Sequence, residues 1–196
     1  MTAKGRAAFP PSIPYDMQTT IIKFNQCDMS VISFLEWIRE ALRPIGATVE
    51  WLVVDPIRRA DIRHSSHPFP SDSGHSVFSI TTSNREQYVA DFTLEQFGFP
   101  AKRWFAAKSE YIERFTEGDW RIASEQGMEE TDLLIVQSKH ASHIRTCINT
   151  VCEEIRWPSY RKLPADERIP WVKACTQEIL DRIGAERLSI AALEVA

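Results

Sequence analysis

Apolar and polar positions alternate along two neighbouring stretches, Gly74-His75-Ser76-Val77-Phe78-Ser79-Ile80 and Gln87-Tyr88-Val89-Ala90-Asp91-Phe92-Thr93. Both are rich in β-formers, and the polar run Thr82-Ser83-Asn84-Arg85-Glu86 separates them. That pattern predicts a β-hairpin. Thr48 to Val54 alternates in the same way and reads as a further strand, closed by Asp55-Pro56. A different period governs Val31, Phe34, Leu35, Ile38, Ala41 and Leu42. They recur at three and four residues, so a helix with one apolar stripe is expected from about Cys27, ending at Arg43-Pro44-Ile45-Gly46. Thr19 to Phe24 reads as a short β-prone run. Residues 108–115 read as a helix. From about Met128 the period is helical, most clearly at Ile144, Cys147, Ile148, Val151, Cys152 and Ile155. A last helix is expected from about Ile169 or Pro170 to Ile183, stopping at Gly184, and Ser189–Val195 reads as a weak helix or docked tail.

The resulting order of elements is α+β. Residues 1–18 are expected to form a proline-rich arm, because Pro10, Pro11 and Pro14 disfavour a helix. Residues 19–117 are expected to form a core with a helix packed on an antiparallel sheet. Residues 118–196, after a break at Gly118, read as a helical subdomain. Residues 56–74 make a polar loop carrying Arg58, Arg59, Arg63, His64 and His67, long enough to be a lid or an anion-binding loop, though a solvated loop is the simpler expectation.

Charge excludes some functions. A net charge of −4 offers no basic footprint for nucleic acid or an anionic membrane. No apolar run approaches the roughly 20 residues of a membrane span. The four cysteines, Cys27, Cys147, Cys152 and Cys175, lack the spacing of a disulfide framework, so free thiols in a cytoplasmic setting are expected.

The candidate chemistry follows from placement. Cys27 falls at the amino end of the first helix, where unpaired N–H groups and the positive end of the dipole favour a thiolate and can receive an oxyanion. Asp28 works against the thiolate unless it turns away. Centring the hairpin turn on Ser83 sets His75 opposite Asp91 on one face, close enough for the carboxylate to take the imidazole Nδ1–H. A thiolate, a proton-shuttling imidazole and a carboxylate that fixes the tautomer are the parts of a thiol acyl-transfer site.

The Cys27 helix, His75-Ser76-Val77-Phe78 and the run Val89-Ala90-Asp91-Phe92-Thr93 with Gln96-Phe97-Gly98 resemble the transglutaminase-like, papain-like cysteine enzyme superfamily over about residues 19–105. The resemblance implies a papain/transglutaminase-like core with a Cys27, His75, Asp91 triad. It also implies acyl transfer or amide/thioester hydrolysis through a thioester, on an amide- or thioester-bearing small molecule or protein, without cofactor or metal. The glutamine that papain-type enzymes place six residues before the cysteine falls on Ile21. The oxyanion donors are therefore expected to be the Cys27 N–H with Asn25 or Gln26, and Trp104 is a candidate substrate contact. A non-catalytic binding or scaffold protein of the same fold is the alternative. His140, His143 and Cys147 share a helix face, but the set lacks a closing ligand, so no metal site is expected. Oligomeric state is not fixed by the sequence.

Overall fold

The computed structural model describes all residues except 1–8, 11, 25, 60–73, 156, 195 and 196, and the backbone alone of 186–194. The chain divides into two compact units, one spanning Ala7–Gln137 and the other containing Ser138–Ala196.

The first unit opens with α1 (Tyr15–Lys23) and α2 (Cys27–Leu42), followed by a 3₁₀ turn at Arg43–Ile45. Strands β1 (Thr48–Pro56), β2 (His75–Thr81), β3 (Gln87–Ala90) and β4 (Phe105–Ala107) come next, then α3 (Lys108–Phe115), β5 (Thr116–Ile122) and α4 (Glu125–Gln137). The five strands form one antiparallel sheet in the order β4-β3-β2-β1-β5. The α+β expectation is met.

Both faces of this sheet are covered, which is why β2, at its centre, is buried along almost its whole length. On one face Val31 and Leu35 of α2 pack with Val49, Trp51, Phe78, Ile80 and Ala90. On the other, Tyr111 and Phe115 of α3 pack with Leu52, Val54, Val77 and Val89. Strand residues alternate between faces. His75 therefore leaves β2 on the side of Val77 and Tyr111, and Ser76 leaves it on the side of α2.

Several expectations are corrected. Thr19 to Phe24 is not a strand: Thr19 to Lys23 ends α1, which begins at Tyr15 within the expected arm. Within it the Thr19 and Thr20 hydroxyls turn onto the carbonyls of Tyr15 and Asp16 one turn back. Gly118 does not end the sheet. It sits inside β5 at φ 103°, in a left-handed conformation that glycine adopts freely, and β5 pairs with β1 from Thr116 to Ile122. The strand is largely exposed and polar, so it lacks the alternation that betrays a half-buried one. The division between units accordingly falls at Gln137/Ser138 and not at 117/118.

The second unit contains α5 (Lys139–Glu154), α6 (Trp157–Lys162) and α7 (Ala165–Glu194). The last is one helix where two were expected. It starts before Pro170 and runs on through Gly184. Pro170 lies near its amino end, and an interior glycine costs only about 1 kcal/mol. Tyr160 meets Trp157 edge-on and Trp171 at a tilt, with the Arg168 guanidinium over its ring. Among the described residues, no helix is long and apolar enough to cross a membrane.

Candidate functional site

Cys27 is the first residue of α2, as the sequence predicts, and is buried. Among the described residues, no side chain caps this helix. Its first ladder bond runs from Ser30 N–H to the Gln26 carbonyl, 2.9 Å. The backbone N–H groups of the first turn therefore point past Cys27 without an intrahelical partner. Asp28 does not turn away from Cys27 to cap the helix. Its Oδ1 accepts a short hydrogen bond from Ser76 Oγ, tying the first turn of α2 to the strand residue next to His75. The same oxygen accepts a hydrogen bond from the Cys27 thiol at 3.9 Å, a contact that favours the thiol over the thiolate.

The hairpin brings His75 and Asp91 together, but in a different register. Thr81 pairs with Gln87 and Phe78 with Ala90, so the five-residue loop is centred on Asn84, with Arg85 at φ 67°. Continued one step, this register sets Val77 opposite Asp91. A slip of two residues keeps every side chain on its face. His75 thus reaches Asp91 along the diagonal, and Asp91 stands just beyond β3, not on it. The contact is 2.7 Å and both side chains are fully buried.

The ring nitrogen involved is also corrected. Nε2, not Nδ1, meets Asp91 Oδ2. Nδ1 lies 3.2 Å from the Gln96 side-chain nitrogen. Phe97 stands edge-on to the ring, with centroids 4.7 Å apart. The Cys27 side chain lies near enough to the imidazole to bear on its charge. The structure therefore assembles all three triad candidates.

Asp91 is held from several directions. Tyr111 Oη donates to Oδ2 at 2.7 Å, the Thr93 N–H donates to Oδ1 at 2.9 Å, and the Asp91 N–H donates to the Trp104 carbonyl at 2.7 Å. Gln96 Nε2 also donates to Thr93 Oγ1 at 3.1 Å. This gives the Asp-x-Thr-x-x-Gln run a physical meaning. The carboxylate closes a turn on Thr93, and the following 3₁₀ turn, Leu94–Phe97, brings Gln96 back onto the imidazole.

Burial alone would push His75 toward the neutral form, and it is the largest single influence. The charge and hydrogen bond of Asp91, helped by Cys27, outweigh it and raise the imidazole from 6.5 to about 10. Burial pulls Asp91 the other way, but the His75 charge, with bonds from Tyr111 and Thr93, brings its carboxyl below the ordinary value. Burial and the neighbouring carboxylate hold the Tyr111 hydroxyl protonated, well above its ordinary value, so it remains a donor.

The remaining candidates stand apart. Asn25, Arg63, His64 and His67 lie outside the described residues. Gln26 directs its side-chain nitrogen to the Phe24 carbonyl, 3.5 Å away. Trp104 meets Asp91 only through its carbonyl, while its half-exposed indole packs on Phe92 and Phe105. Arg59 covers the Phe99 ring at 4.4 Å. In α5 the Cys147 sulfur lies 3.5 Å from His143 Nε2. Among the described residues, no group of three or more His, Cys, Asp or Glu is placed to hold a metal ion.

Sequence reasoning missed Tyr111 as a partner of Asp91. Its signal was slight: a single polar atom on the apolar stripe of α3. Compared with protein-family models, curated proteins and solved structures, the chain matches none.

Proposed function

We propose that this protein is a cysteine-dependent acyl transferase or amidohydrolase with a papain/transglutaminase-like core. One observation carries the reading: a buried imidazole bonded through Nε2 to a buried carboxylate and lying near a cysteine at a helix amino terminus. The thiolate of Cys27 attacks the carbonyl carbon of an amide or thioester. The oxyanion formed is received by the Cys27 N–H at the uncapped start of α2. His75 gives its proton to the departing amine or thiol, leaving a thioester on Cys27. Water or an amine, deprotonated by His75, attacks that thioester, and the sulfur leaves as thiolate. Asp91 keeps the ring oriented and stabilises its charged form. Every step uses groups of the chain itself, so no cofactor is required. The free state of all four thiols suits a reducing compartment such as the cytoplasm.

The second reading, a binding or scaffold protein of this fold, draws on the burial of Cys27 and His75, with 7% and 1% of their surface exposed. Iodoacetamide at neutral pH separates the two. An acyl transferase labels at Cys27 well ahead of Cys147, Cys152 and Cys175. An activated aryl ester then leaves its acyl mass on Cys27, and Cys27→Ala removes that adduct with little loss of stability. Equal or slower labelling of Cys27, with a loss of several kcal/mol in Cys27→Ala, overturns the enzyme reading.

A further inference from the structure

Lys23 is the last residue of α1 and lies four positions before Cys27. Its Nζ donates to the Phe92 carbonyl at 2.8 Å and to Glu95 Oε1 at 2.7 Å. One turn earlier, the buried Thr20 hydroxyl lies 2.8 Å from the Glu95 carbonyl. The Glu95 side chain is only 9% exposed, and its second oxygen, Oε2, is buried without a hydrogen-bond partner among the described residues. A carboxylate so placed is costly unless its charge is met, and Lys23 is the cation that meets it.

The two ends of this ion pair lie on the two halves of the candidate site. Lys23 precedes the segment that delivers the nucleophile. Glu95 sits inside the turn from Asp91 to Gln96 that orients His75, directly beside Gln96. On the far side of Cys27, the Asp28–Ser76 bond ties the start of α2 to the residue after His75. Cys27 is thus bracketed by two side-chain links, each reaching a different neighbour of the imidazole.

We propose that Lys23 and Glu95 are positioning residues: their ion pair clamps the approach to Cys27 onto the Asp91–Gln96 turn and sets the sulfur against the imidazole. The proposal rests on the acyl-transfer reading and deepens it. An error of about 1 Å between reacting groups can cost about 10²-fold in rate, so a clamp at this point acts on reactivity and not on folding alone.

Lys23→Met leaves the Glu95 charge buried and unpaired and risks unfolding. The double variant Lys23→Met/Glu95→Gln removes both charges at nearly constant volume and avoids that. Carboxamidomethylation of Cys27 by iodoacetamide is followed from pH 5 to 10 on protein shown to be folded by circular dichroism, and the His75 ring is titrated by NMR. The double variant is expected to slow Cys27 alkylation about tenfold or more, to displace its pH midpoint and to lower the His75 titration. Lys23→Arg is expected to recover most of the rate. Unchanged rate, midpoint and ring titration alongside a lowered melting temperature make the pair merely structural and overturn the proposal. If wild-type Cys27 alkylates no faster than the other thiols, the acyl-transfer reading fails. The ring titration then decides the clamp: a lowered His75 value in the double variant supports it, and an unchanged one refutes it.

Discussion

Among the described residues, two places set a cysteine near an imidazole, and they differ in everything around the pair. In α5, His143 and Cys147 meet because residues four apart share a helix face. The ring is partly exposed, and no carboxylate among the described residues bonds it. At the start of β2, His75 comes near Cys27 across 48 positions of sequence. Its ring is fully buried, bonded to Asp91, and raised to about 10. Proximity of thiol and imidazole is therefore cheap, since a helix supplies it locally. What separates the two sites is the carboxylate, together with the groups that hold it still.

Removing that carboxylate is the sharpest way to erase the difference. Asp91→Ala leaves a buried imidazole without its counter-charge and is expected to cost about 3–5 kcal/mol in urea unfolding. Cys27 alkylation by the folded remainder is expected to fall by on the order of 10²–10⁴-fold, toward the rate of Cys147. If Cys27 keeps its rate in this variant, the carboxylate is not what distinguishes the sites.

Stability should also follow pH in a way set by this pair. His75 titrates near 10 when folded and near 6.5 when unfolded. Its contribution is complete below about 6.5 and is lost as pH rises through about 10. Asp91 is lowered in the folded state, so its contribution is present above its ordinary value of 3.8 and is lost as pH falls through the lower folded value. The urea midpoint is expected to be highest between those limits and to decline from pH 6.5 to pH 9, by on the order of a few kcal/mol in unfolding free energy. In His75→Gln the alkaline decline should flatten. An alkaline slope that survives this substitution assigns it to another group.

A smaller effect is expected from Tyr111→Phe, which deletes one hydrogen bond to the Asp91 carboxylate. The cost should be about 1.5–3 kcal/mol, with the Asp91 carboxyl moving up toward its ordinary value by NMR. The smallest belongs to the other pair: His143→Ala should change stability by no more than about 0.5 kcal/mol and leave the alkylation rate of Cys147 where it was. A large effect there would show that the helical pair does more than share a face.

Local pattern made much of this legible. The 3.6-residue period of α2 fixed its extent and put Cys27 at its start. The alternation of β2 and β3 kept His75 and Asp91 on one face even though the register was two residues out, because a slip of two preserves the face. The exposed edge strand β5 was not legible, since Thr-Glu-Gly-Asp-Trp-Arg-Ile has neither alternation nor an apolar run, and its pairing with β1 defines it. Helix α1 was misread for the converse reason. Thr-Thr-Ile-Ile is β-prone by itself, and Thr20 and Lys23 are drawn into a helix by partners at Phe92 and Glu95 that lie far along the chain.

The sequence by itself determined which residue types stand at a helix start and on the strands of one hairpin, because periodicity, breakers and caps act over a few residues. Only the tertiary structure decided which imidazole nitrogen meets the carboxylate, that Tyr111 and Gln96 complete the hydrogen bonding, and that Lys23 reaches Glu95. Those choices depend on distances between elements separated by tens of residues, which are set by how α1, α2 and α3 pack on the sheet and leave no periodic mark in the chain.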